Sequence, residues 1–166
     1  DAAVPDSYLL RAVNAMEACR ADIPGMREAV EAAADRLANG GRFWLAGQPS
    51  MVSELSGRAG GFMMVRPLGD ATPAEGDVVM FFPEAGSNTL PGSALTIGFG
   101  TEPVPGMAYS FLNHAKECGI SPTMANAIPG WIFTGELIAA LTRRGKMPVI
   151  YESIGAYGGN ARIVQY

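Results

Sequence analysis

Residues 42–61 read RFWLAGQPSMVSELSGRAGG, and this stretch decides the fold. Arg42-Phe43-Trp44-Leu45-Ala46 is a short apolar run with a glycine on either side. A run of that length between turn residues suits a buried strand of a parallel sheet better than a helix. Gly47-Gln48-Pro49 follows as a loop, and Ser50 to Arg58 reads as a helix opened by a serine cap and stopped at Gly60-Gly61. The result is a strand, loop and helix unit.

On the N-terminal side, Asp6 or Ser7 can cap a helix in which Tyr8, Leu9, Ala12, Val13, Met16 and Cys19 recur at spacings of three and four. A second helix starts around Pro24, carries Met26, Val30, Ala33, Ala34 and Leu37 on one face, and stops at Asn39-Gly40-Gly41. On the C-terminal side, strands are expected at Phe62–Val65, Asp77–Phe82, Ser93–Phe99 and Pro148–Tyr151, and helices at Tyr109–Cys118 and Pro129–Arg144. Strands alternating with helices, with no repeat and no dividing linker, predict one α/β domain over residues 1–166. It comprises an N-terminal helical pair at 6–39 and an α/β core at 42–166.

Composition narrows the function. The chain has 166 residues, 48% hydrophobic and 17% charged, which is far from the disordered corner of composition space. The formal charge is -4, and 12 Lys+Arg are spread along the chain, so there is no basic face for nucleic acid. Cys19 and Cys118 show no metal or disulfide spacing and are expected as reduced thiols in the cytoplasm. No export signal and no apolar run of about 18 residues is evident, so no membrane partner is expected. Neither Gly-x-Gly-x-x-Gly nor Gly-Lys-Ser/Thr occurs, and no cofactor is expected. The methionines read as packing.

An open parallel sheet binds its ligands beyond the carboxyl ends of its strands. Two segments meet that description. Ala46 to Ser50 leads into the helix bearing Ser53, Glu54 and Arg58, and Glu84 to Thr89 is a hydroxyl-rich loop able to ring an anion or a sugar with donors. Small polar residues at such places also serve turn geometry alone. Arg58 and Arg66 either hold an anion or pair with acids such as Glu54 and Asp70. His114 is the only histidine, suited to proton transfer or to a structural contact.

In the order of these features the chain resembles a sugar isomerase (SIS) domain. Ser50-x-x-x-Glu54-Leu55-x-Gly57-Arg58 resembles the phosphoheptose isomerase branch, and Arg58-Ala59-Gly60-Gly61 with Val65-Arg66-Pro67-Leu68 resembles a phosphosugar-binding branch. Gly76 to Val79, and Met124 to Ser153, resemble its second strand and its closing helix and strand. The resemblance implies a three-layer αβα sandwich around a five-stranded, mostly parallel, flavodoxin-like sheet, assembled as a homodimer or homotetramer. It implies a sugar phosphate held by Gly47, Gln48, Ser50, Ser53, Arg58, Gly86, Ser87, Asn88 and Thr89. Aldose–ketose isomerisation would fall to Glu54, with His114 and Glu136 as further acid–base groups; a sensor without turnover is the alternative. Ser50 and Glu136 stand where that branch has metal-binding histidines, so no metal is expected. The family's usual glycines are replaced by Ala46 and Gln48, and Glu84 adds an acid to the second loop.

Overall fold

The computed structural model describes residues 3–84, 90 and 92–153. The elements run α1 (Ala3–Ala21), α2 (Ile23–Ala38), β1 (Phe43–Gly47), α3 (Pro49–Gly57), β2 (Val65–Pro67), β3 (Val78–Phe82), β4 (Leu95–Gly100), β5 (Tyr109–Leu112), α4 (Ala115–Cys118) and α5 (Pro122–Arg143). All five strands are parallel, in the order β2-β1-β3-β4-β5. The α/β sandwich on a five-stranded parallel sheet, expected from the sequence, is what the chain forms.

The faces of the sheet follow from chain handedness. Right-handed crossovers put the β1–β2 connection on one face and, because the strand order then reverses, the three later connections on the other. The first face packs Phe43, Leu45, Met80, Phe82, Ile97 and Phe99 against α2, α3 and α5 through residues such as Ala33, Leu55 and Phe133. The second packs Trp44, Ala46, Val79 and Phe81 under Leu68, Ala71, Leu90, Ala94, Val104 and Met107, which belong to connecting segments. Strand β3 lies between them with all five residues buried, as a central parallel strand must.

Several boundaries differ from the sequence reading. Helix α1 begins at Ala3 rather than at a cap on Asp6 or Ser7, because Pro5 sits in the first turn, where a missing N–H costs nothing. Pro49, not Ser50, opens α3, and the N-cap residue Gln48 makes no side-chain cap. The second strand lies three residues later than expected, at Val65–Pro67, its terminal proline tolerated on an edge strand.

The largest corrections concern the fifth strand and the closing helix. Tyr109–Leu112, expected as helix, is β5, with Phe99 and Phe111 in register, and its aromatic residues favour extended chain. His114, at φ 57°, separates that strand from the four-residue α4. Pro148–Tyr151 does not join the sheet; Ile150 forms an isolated antiparallel bridge with Phe62. Helix α5 starts seven residues before the expected Pro129, at Pro122, because Ser121 caps it by accepting the Met124 N–H at 3.2 Å. Pro129 lies inside α5, and burial of Ala125, Gly130 and Phe133 around it offsets the cost of a proline in a helix interior, about 3 kcal/mol for the lost bond and the ring clash together. Among the described residues α5 alone is long and apolar enough to cross a membrane, and half of that apolar stretch is buried in the domain.

At the amino-terminal edge of the sheet, Asp77 is 7% exposed and fully engaged. Its Oδ1 accepts the Arg42 N–H at 2.8 Å, and its Oδ2 accepts Trp44 Nε1 and the Ala74 N–H, both at 3.0 Å. Burial pushes the carboxyl up, but these three donors outweigh it and hold Asp77 below the ordinary range. A carboxyl lowered by folding stabilises the native state above its unfolded value, about 3.9, and that stability is lost as the pH falls through the folded value. Asp77→Asn replaces one accepting oxygen with an NH2 group that faces donors and should cost about 2 kcal/mol in urea unfolding at neutral pH. Its stability should also depend less on pH in the acid range than that of the unaltered protein.

Candidate functional site

In the sheet β2-β1-β3-β4-β5, the strand order reverses between β1 and β3, and ligands of such sheets bind beyond the carboxyl ends of those two strands. Here the chain leaves β1 through Gly47, at φ 95°. A Cβ at Gly47 would stand 1.8 Å from the Phe82 carbonyl oxygen, so no other residue fits this crossing. The next N–H, on Gln48, donates to that same oxygen at 2.8 Å.

Helix α3 begins immediately. Pro49 has no N–H, and the N–H groups of Met51 and Val52 both donate to the Gln48 carbonyl at 3.0 Å. That leaves the Ser50 N–H as the first-turn donor without a helical partner. Ser50 and Ser53 are exposed.

The Gln48 side chain is the end of a carboxamide chain. Its Nε2 donates to the Pro83 carbonyl at 3.3 Å, and its Oε1 accepts Asn126 Nδ2 at 3.2 Å. Asn126 Oδ1 accepts Asn113 Nδ2 at 2.6 Å, and Asn113 Oδ1 accepts the Ala115 N–H at 3.0 Å. The Asn113 N–H in turn donates to the Gly100 carbonyl at 2.8 Å. Three amides thus tie the carboxyl ends of β1, β3, β4 and β5 to α4 and α5. Asn113 and Asn126 are completely or almost completely buried, and neither was singled out from the sequence. The available signal was Asn126 alone, a polar residue within the apolar run Met124 to Ile128.

The acid–base residues expected from the sequence are held in three different places. Glu54 pairs with Arg58 at 2.9 Å and accepts Trp131 Nε1 at 3.4 Å, so both of its oxygens are engaged on the α3–α5 flank. Glu136 lies five residues beyond Trp131, about 140° further round α5. It lines a 330 Å³ cavity with Arg27, Glu31 and Arg143. His114 contacts Asp22 Oδ2 at 2.7 Å and Glu117 Oε2 at 3.3 Å, at the end of β5 and two strands from the switch point. Gly47 and Gln48 do converge with Pro83 at the crevice. Gly86, Ser87, Asn88 and Thr89 lie outside the described residues.

Other reactive groups are quiet. Burial first, then the charges of Asp22 and Cys118, push the Cys19 thiol up to about 12, so it is no nucleophile at neutral pH. Among the described residues no three His, Cys, Asp or Glu side chains gather to hold a metal ion. The crevice therefore offers fixed amide donors and acceptors and a helix N-terminus, which is binding chemistry.

Set against known proteins, the chain matches no family model. No curated protein matches it either.

Asn126→Ala leaves Gln48 Oε1 and Asn113 Nδ2 without this partner and should cost about 2 kcal/mol. Chemical denaturation measures that loss; an unchanged midpoint would show that water replaces the amide.

Proposed function

We propose that the chain is a SIS-type domain that binds a sugar phosphate at the β1–β3 switch point and serves as a binding module without turnover. The observation that carries this reading is the chain of amides from Asn113 through Asn126 to Gln48. It fixes a carboxamide beside the first turn of α3, where sugar hydroxyls would meet amide groups and a phosphate would meet the Ser50 N–H and the Ser50 and Ser53 hydroxyls. Isomerisation needs an acid and a base at one bound sugar, whereas Glu54 and His114 are engaged with partners in two places and Glu136 lines a cavity in a third. The free cysteines fit a reducing compartment such as the cytoplasm.

The reading includes a homodimer. Tyr8, Leu9, Val13 and Met16 of α1 and Met124 of α5 are large apolar residues left exposed, Leu9 by 64%. Beside them lies an apolar groove of about 550 Å³ lined by Ala12, Ile120, Ile128, Trp131 and Ile132. A ridge and a groove on one face can be complementary to themselves, as a twofold interface requires. Glu17 and Arg20 at its rim neutralise each other at 2.7 Å, so two copies of this net-negative chain can meet here without bringing like charges together. The occupant is a second copy of the chain.

Two measurements test these readings. A thermal-shift series with aldose and ketose phosphates at millimolar concentration should raise the melting temperature. Gln48→Ala should abolish the shift and Glu54→Gln should keep it; a flat response of the unaltered protein overturns sugar-phosphate binding. In light scattering the chain should run at twice its 17.4 kDa mass. Val13→Glu should run as a folded monomer, and a monomeric parent protein overturns the dimer.

A further inference from the structure

The amino-terminal edge of the sheet, opposite the switch point, carries a second polar cavity of about 420 Å³, lined by Gly41, Arg42, Phe43, Trp44, Met64 and Arg66. Register places it. Arg66 on edge strand β2 lies directly across from Trp44 on β1, and Arg42 is two residues before Trp44, so strand alternation sets all three on one side of the sheet.

Most cations of this molecule are paired, although among the described residues Arg27 and Lys146, like the two arginines here, have no side-chain hydrogen bond or ion pair. Arg36, Arg58, Arg143, Arg144 and Lys116 all bind carboxylates or carbonyls. Among the described residues the guanidinium groups of Arg42 and Arg66 have no hydrogen bond or ion pair, and the Arg66–Asp70 pair open to the sequence is absent. Two cations facing one cavity in a chain of net charge -4 repel each other unless an anion lies between them. Asp77, whose charge acts on Arg42 without an ion-pair contact, already accepts three hydrogen bonds, from the Arg42 N–H, Trp44 Nε1 and the Ala74 N–H. Its bond to Trp44 also fixes the indole as a rigid wall of the cavity.

The geometry points to an oxyanion site in which Arg42 and Arg66 clamp a phosphomonoester dianion against the Trp44 wall. Guanidinium forks match phosphate oxygens in shape and donor spacing, and two of them balance a dianion. The cavity volume is within the range of small-ligand sites. The site shares no residue with the switch-point crevice and stands whether or not a sugar binds there.

Trp44 reports on it directly. The chain has two tryptophans, so Trp131→Phe leaves Trp44 as the only indole. In that background, titration with inorganic phosphate against sodium chloride at matched ionic strength should give a saturable change in emission with a millimolar midpoint. Arg42→Gln with Arg66→Gln should weaken the midpoint at least tenfold, and far-UV circular dichroism melting verifies that this variant is folded. Gln48→Ala should leave the midpoint unchanged, which separates this site from the sugar-phosphate reading. The proposal is overturned by an equal response to chloride, by an unaltered midpoint in the folded double variant, or by no response. In that last case, aggregation of the double variant alone would assign the arginines to guarding the sheet edge.

Discussion

The contact between Gly47 and the Phe82 carbonyl is the constraint on which the carboxyl edge of the sheet depends. Because no Cβ intervenes, the chain can cross the end of β3 with its backbone against that oxygen, and the Gln48 N–H takes the hydrogen bond there. Everything downstream is placed by that crossing. Gln48 then lies where Pro83 and Asn126 reach its two amide ends, and α3 begins without a spacer. A side chain at residue 47 would push β1 from β3 and dissolve the arrangement at its origin.

The two faces of the sheet divide the work. Helices α2, α3 and α5 seal one face with an aromatic centre, in which Phe82 stacks on Phe99 at 5.3 Å and Phe133 meets Phe99 edge-on at 5.8 Å. Gly130 lets α5 approach that centre, since a Cβ there would stand 3.2 Å from the Phe82 ring. Connecting segments cover the other face. At the amino edge, Asp77 anchors the Trp44 indole and the loop at Ala74.

Legibility in the sequence followed the strength of the local signal. Phe43–Ala46 and Val78–Phe82 are continuous apolar runs between turn residues, and they became the two central strands. Tyr109–Leu112 and Pro148–Tyr151 are both short and apolar, and nothing local says which of them completes the sheet. The edge beside β4 accepts one strand, and the register with Ile97 and Phe99 awards it to the former. Pro129 looks like a helix start, but the Ser121 cap and the buried residues on both sides of the proline carry the helix through it. At the site, Gly47 and Gln48 were legible as a loop at a strand end, whereas Asn113 and Asn126 are thirteen residues apart and meet only because β5 and α5 converge.

The sequence by itself determined the α/β class, the central strands, the buried faces of α2 and the location of a crevice after β1, because apolar periodicity and turn residues act over a few neighbours. Tertiary structure decided which segment became the fifth strand, that Glu54 turns to Arg58 and Trp131, that His114 faces Asp22, and that Arg42 and Arg66 have no partner among the described residues at the opposite edge. Those outcomes depend on which groups distant in the chain are brought within hydrogen-bonding distance, and that is a property of packing rather than of spacing along the chain.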